Sequence, residues 1–203
     1  DKSAPISEHG WCNELAAVGF NQFAFNNVGN PYDHSHIPFN CHPFEKELID
    51  RFGVIYGFSL DNIWGFLSHS GTDSNMHGLY MGRTILKNRA GVMPKIYFTK
   101  EAHYSIQILR DLLNLEWVVV GTLTDGSMDV ADLERQLNAH PNHPALVVAT
   151  IGTTFKGAID PIDGIQSKLK GRTAYLHLDA ALFGGYLPHT QFAADLLHEV
   201  SDP

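Results

Sequence analysis

"PALVVATIGTT", residues 144–154, is the stretch whose reading decides the fold. From Ala145 to Ala149 it is apolar without interruption, and it ends in a turn at Gly152. Such a run fits a strand buried on both faces, as in a parallel sheet covered by helices; a strand with one wet face would alternate. The segments that follow agree. "DPIDGIQSKLK" (160–170) has helical spacing, and "RTAYLHLD" (172–179) is again a strand. Working back, "SMDVADLERQLNAH" (127–140) opens on cap residues and continues as a helix. "EWVVVG" (116–121) is a strand, "EAHYSIQILRDLLN" (101–114) a helix with an apolar stripe, and "PKIYFT" (94–99) a strand.

Further back, "TDSNMHGLYMGRTILKNRAG" (72–91) reads as a helix, with Thr72 or Asp73 as its cap and Gly91 as its stop. "IWGFLSHSG" (63–71) reads as a strand entering a glycine turn, and "PFEKELIDRFG" (43–53) as a helix with an acidic first turn. Five expected strands alternating with helices define an α/β domain with a mostly parallel sheet flanked by helices. Residues 1–43 are dense in Asn, Pro, Gly and His and read as ordered loop. The expected division is therefore an irregular segment, 1–43, and a large domain, 44–203.

The bulk numbers exclude more than they assign. A chain of 203 residues, 44% hydrophobic and 18% charged, can bury a core of its own. A net charge of -8 argues against a nucleic-acid partner. Cys12 and Cys41 form no CxxC pattern, so neither a disulfide scaffold nor a zinc site is suggested. His34 and His36 make an HxH in a loop, without a second pair of ligands nearby, and we expect no metal. The chain has no run of 18 apolar residues and a polar amino terminus, so the expectation is a cytoplasmic protein without a membrane partner.

In sheets of this kind ligands bind beyond the carboxyl ends of the strands. Ser70, Gly71 and Thr72 join a strand to a helix there and suit an anion, most naturally a phosphate. The pattern is neither GxGxxG nor Walker A, which argues against dinucleotides and ATP. His103 follows another strand and could stack on a flat ligand. Thr153 and Thr154 follow a third and offer hydroxyls. Asp179 leaves the last strand, and Ala180 and Ala181 beside it leave room for a flat group. Each of these has an ordinary reading as a cap or turn residue. A buried carboxylate, however, needs a cationic partner or a proton. A phosphorylated aromatic nitrogen heterocycle meets all four features, and pyridoxal phosphate is such a molecule. Its protonated ring nitrogen would pair with Asp179.

"NNVGNPY" (26–32), "WGFLSHSGTDSNMHGLYMGR" (64–83), "AHYSIQILRDLL" (102–113), "IGTTFKGAIDPID" (151–163) and "HLDAALFGGYLP" (177–188) occur in this order. With them the sequence resembles the group II pyridoxal-phosphate-dependent amino acid decarboxylases, closest to the branch of bacterial histidine decarboxylases and plant serine decarboxylases. The resemblance implies the fold type I transferase-like large domain and a homodimer with the active site at its interface. It implies that Gly71 and Thr72 bind the phosphate, that His103 stacks on the ring and borders the substrate, and that Thr153 lies near the ring or the substrate carboxylate. It places Asp179 on the pyridine nitrogen and Ala181 against the opposite ring face, with "FNNVGNPY" near the entrance. His103 and Asp179 are thereby the catalytic candidates.

The implied reaction converts an L-amino acid to its amine and carbon dioxide. L-Histidine is the leading substrate, and another small or polar amino acid such as serine or aspartate is the alternative. A lyase or aldolase using the same cofactor and a non-catalytic relative are the rival readings. Three departures are visible. "GTDSN" stands where the family usually has Gly-Thr-Glu-Gly-Asn, "FLSHSG" replaces a more usual Thr-Asn-x-Gly approach, and none of the eight lysines lies in the Ser-x-x-His-Lys context that carries the cofactor. The expectation is that this lysine and the C-terminal domain belong after Pro203, the chain being the amino-terminal part of an enzyme.

Overall fold

The computed structural model describes residues 8–19, 22 and 27–190. The first seven residues and the stretch 191–203, which includes "HEVSDP", lie outside them. The chain divides into two compact units, with the boundary between Leu67 and Ser68.

The first unit contains α1 (Glu8–Ala17) and α2 (His42–Ile55). Pro43 stands in the first turn of α2, where its missing N–H has no helical acceptor to lose. Glu45 is buried in the same turn and gathers the loops: Asn27 Nδ2 donates to one carboxylate oxygen and the Leu67 N–H to the other, at 2.5 and 2.7 Å. Gly53 lets Ile63 lie against the helix, since a Cβ there would stand 2.1 Å from the Ile63 side chain. The strand expected over 63–71 does not form. Ile63 is extended, but the segment pairs with no strand among the described residues, and its Leu67 N–H goes to a side chain rather than to a ladder. An apolar run becomes a strand only where a neighbour supplies the hydrogen bonds. By contacts, α2 and the segment to Leu67 belong with the irregular amino-terminal region, whereas composition alone places a change at residue 43.

The second unit is built from α3 (Gly71–Ala90), β1 (Lys95–Thr99), α4 (Tyr104–Leu112), β2 (Glu116–Val120), α5 (Val130–Ala139), β3 (Ala145–Thr150), α6 (Ile162–Leu169) and β4 (Ala174–Asp179). Among the described residues its four strands are all parallel, in the order β2-β1-β3-β4. Alternation along the strands sorts the core into two layers. Ile96, Phe98, Leu146 and Val148 pack with α3 and α4 through Leu79, Leu86, Ile106 and Leu109. Tyr97, Ala145, Val147 and Ala149 pack with α5 and α6 through Leu133, Leu137, Ile162 and Ile165. Every residue of β3 is buried, as its apolar run from Ala145 to Ala149 requires. Each large aliphatic side chain so buried contributes about 1.5–3 kcal/mol.

β1 and β3 are neighbours, yet the helix after β1 lies on one face and the helix after β3 on the other. Connections that part in this way leave a crevice beyond the carboxyl ends of the strands. α3 begins at Gly71, one residue earlier than the sequence suggests, and its cap is Ser70. The Ser70 backbone is extended (φ -164°, ψ 158°) and its Oγ accepts the Asp73 N–H at 3.2 Å. Thr72 and Asp73 are already within the first turn and do not serve as cap. Gly91 stops the helix in the left-handed conformation at φ 73°, where a side chain would be strained. His103 caps α4, which starts at Tyr104 rather than near Glu101.

Candidate active site

Asp179 ends β4 and is paired in register with Thr150, the last residue of β3. Tyr175 packs in the layer of α3 and α4, so alternation turns His177 and Asp179 to that face as well. The amino terminus of α3 lies against it. Two adjoining cavities of about 340 and 500 Å³ share Ser70, Gly71, Asn75, Asp179 and Ala181. The smaller also reaches Thr72, His103, Thr150, Gly152, Thr154 and Leu182.

Five of the six candidate residues thus line one cavity: Gly71, Thr72, His103, Asp179 and Ala181. Thr153 is not on its wall. The Thr153 hydroxyl accepts the Ala158 N–H at 3.0 Å and closes its own loop, and Thr154 lines the cavity instead. Elsewhere, His34 and His36 line a separate cavity in the first unit. No group of three His, Cys, Asp or Glu side chains among the described residues could hold a metal ion. None of the described helices is long and apolar enough to cross a membrane.

Asp179 is 6% exposed and is held by neutral donors. Asn75 Nδ2 donates to its Oδ2 at 2.9 Å, and the Ala181 N–H donates to its Oδ1 at 3.2 Å. Asn75 is itself buried, and its Oδ1 lies 2.8 Å from His177 Nε2. The same Asn75 Nδ2 also reaches Ser105 Oγ at 3.3 Å, and Ser105 Oγ lies 2.8 Å from His103 Nδ1. Burial pushes the pKa of His177 below its ordinary value, and the charge of Asp179 acts in the opposite sense. Gly78 makes room for this imidazole, because a Cβ there would come 2.5 Å from the ring.

These contacts bring in three residues to which the sequence reading gives no role: Asn75, Ser105 and His177. Asn75 lies 104 positions from Asp179 and 102 from His177, so their meeting depends on the folded sheet. A trace was present in the sequence, for His177 stands two residues before Asp179 and must share its face.

The donor set fits a flat, phosphorylated, protonated heterocycle. The first N–H groups of α3 have no intrahelical acceptor and mark the anion end. The close approach at Gly71 leaves no space for a side chain, since a Cβ would stand 2.9 Å from that of Ala181. Asp179 offers charge, while His103 and Ala181 offer flat and apolar contact. Thr150 Oγ1, also at this cavity, is buried without a protein hydrogen-bond partner.

A parallel sheet covered on both faces, with a buried carboxylate and a helix amino terminus converging at its carboxyl end, fits a fold type I pyridoxal-phosphate protein, and the comparisons with known proteins place the chain in that class. The conserved domain of the pyridoxal-dependent decarboxylases matches residues 62–200, and the chain belongs to that family, whose cofactor is pyridoxal phosphate. It is 34% identical over 179 residues to the histidine decarboxylase of Solanum lycopersicum, a match that covers 85% of this chain and 42% of that protein. It is 35% identical over 178 residues to the histidine decarboxylase of Morganella morganii, covering 83% of this chain and 45% of the relative. The chain therefore spans less than half the length of these curated relatives. Among solved structures, L-methionine decarboxylase from Streptomyces sp. 590 superposes with a TM-score of 0.76 at 19% identity, covering 91% of this chain and 51% of that one. Mouse CSAD superposes with a TM-score of 0.68 at 27% identity, covering 78% of this chain and 36% of that one.

Proposed function

We propose that the full-length protein decarboxylates an L-amino acid, releasing carbon dioxide and placing a proton on Cα to give the amine. L-Histidine is the substrate we put first. The observation that carries the reading is the buried Asp179 carboxylate, held by neutral donors and open to a cavity that also receives the amino terminus of α3. The preference for histidine rests on the relatives, histidine decarboxylases at 33–35% identity.

Bound pyridoxal phosphate supplies an electron sink for the pair released when the bond from Cα to the carboxylate breaks. In this reading Gly71 and Thr72 hold the phosphate through backbone N–H groups and the Thr72 hydroxyl. Asp179 would hold the ring nitrogen in its protonated form. His103 and Ala181 clamp the two ring faces and exclude water from them. Thr153 keeps its implied place near the ring or the substrate carboxylate only if its loop rearranges, because its hydroxyl is engaged by Ala158. The same reading expects a cytoplasmic homodimer. Phe155, 93% exposed beside the cavity-lining Thr154, suits coverage by a second copy.

The test is to load the full-length protein with pyridoxal phosphate and follow carbon dioxide release from histidine, serine and aspartate in turn. Release fastest from histidine is the expected result. Aldehyde without carbon dioxide would replace decarboxylation with lyase or aldolase chemistry. Asp179→Asn should lower kcat by about two orders of magnitude, the scale lost when a preorganised partner of developing charge is removed. Near-normal turnover in that variant would remove Asp179 from its role.

A further inference from the structure

We propose that Asn75 is a positioning residue that couples Asp179 to His103, orienting the carboxylate and, through Ser105, fixing His103 as the Nε2–H tautomer. The inference deepens the reading of this cavity as a pyridoxal phosphate site and rests on it for its functional meaning.

What each group can donate fixes the orientations. One carboxylate oxygen of Asp179 accepts the Ala181 N–H. The Asn75 amide must therefore turn its nitrogen to the other oxygen, which it reaches at 2.9 Å. That choice leaves Asn75 Oδ1 facing His177 Nε2 at 2.8 Å, so His177 must donate from Nε2. A neutral imidazole carries a single ring hydrogen, and burial favours the neutral form of His177. The orientation of Asn75 is thus fixed from two sides.

The second Asn75 Nδ2 hydrogen points to Ser105 Oγ at 3.3 Å. With its oxygen accepting, Ser105 has its own hydroxyl hydrogen free for His103 Nδ1 at 2.8 Å. The Ser105 backbone N–H reaches the same nitrogen at 3.3 Å. His103 Nδ1 faces two donors and is an acceptor. In the neutral ring the hydrogen then resides on Nε2, the nitrogen left for a ligand. All donors run one way, from His177 to Asn75, and from Asn75 both to Asp179 and through Ser105 to His103. The groups on the two sides of the cofactor site, from α3, the cap of α4 and the end of β4, are thereby parts of one hydrogen-bonded unit.

The experiment uses the full-length protein, first without and then with pyridoxal phosphate. Histidine side-chain ¹⁵N spectra report the tautomer directly, with His103 assigned by its loss in His103→Gln. The expected result, before any cofactor is added, is that the neutral ring of His103 takes the Nε2–H form. Asn75→Asp keeps the side-chain size but removes both donors. It should draw the Ser105 hydroxyl away from His103, mix the tautomers, and weaken pyridoxal phosphate binding at least tenfold. Ser105→Ala should mix the tautomers, and Ser105→Thr, which restores a hydroxyl, should return them. A His103 resonance unchanged in Asn75→Asp and in Ser105→Ala would overturn the coupling, even if cofactor binding fell. The Ser105 pair keeps that outcome accessible if Asn75→Asp does not fold. Failure of the wild-type protein to bind pyridoxal phosphate would instead overturn the functional reading, while the tautomer spectrum of the free protein would still decide the coupling.

Discussion

Gly152 illustrates how much one residue type can carry at this site. Its φ is +95°, and a Cβ would stand 2.6 Å from the Phe183 ring. Gly152→Ala should therefore lower stability by about 2–4 kcal/mol, from left-handed strain combined with overpacking, seen as a lower urea midpoint at unchanged slope. The sequence shows that Gly152 ends a strand. It does not show that Phe183, far along the chain, fills the space left by the missing side chain. The same division runs through the rest of the site. Gly71, Thr72, His103, Asp179 and Ala181 could be singled out because a glycine turn, a helix start or a strand end leaves a local mark. Asn75, Ser105 and His177 were not, because each is defined by partners on another element.

At the scale of elements, the helices and strands from 94 to 179 were readable from periodicity and punctuation, since the helices bury an apolar stripe against the sheet and β3 is buried along its whole length. The cap of α3 was not. Thr72 and Asp73 are good cap residue types, but the extended backbone of Ser70 makes that residue the cap instead. Ser70→Ala should cost about 1 kcal/mol in thermal or urea unfolding, and should also weaken phosphate-dependent cofactor binding, because the first turn it orders lines the cavity. The segment around "IWGFL" failed as a strand for a related reason. Strand propensity describes a residue on a paired surface, and among the described residues no strand pairs with this segment. Glu45, a buried carboxylate in the first unit, satisfies the Leu67 N–H where a ladder would have done so.

For the molecule as a whole, the sequence made a covered parallel sheet legible but not the strand order, because β2-β1-β3-β4 depends on which face each connection crosses. The hydrogen-bonded cluster under that sheet also gives stability a pH dependence. Burial holds the pKa of His177 below its ordinary value of 6.5, with Asp179 opposing. Below that value the unfolded chain binds a proton that the folded one resists. The contribution of a neutral His177 is therefore complete above about 6.5 and declines as the pH falls toward the lower folded value. His177→Gln, whose amide can still donate to Asn75, should flatten the fall in melting temperature between neutral and mildly acidic pH. An unchanged slope would assign the acid sensitivity to other groups.

The contact between Asn75 and Asp179 spans 104 positions, and this has a consequence for biogenesis. On a ribosome that delivers the chain from its amino end, α3 emerges long before β4, and its first turn must wait through β1, β2 and β3 for the acid that completes it. Non-local pairings of this kind form late, after the entropy of closing the intervening loop has been met. A nascent chain should consequently be unable to retain its cofactor until the sheet has received β4, which makes cofactor capture an event that reports the arrival of that strand.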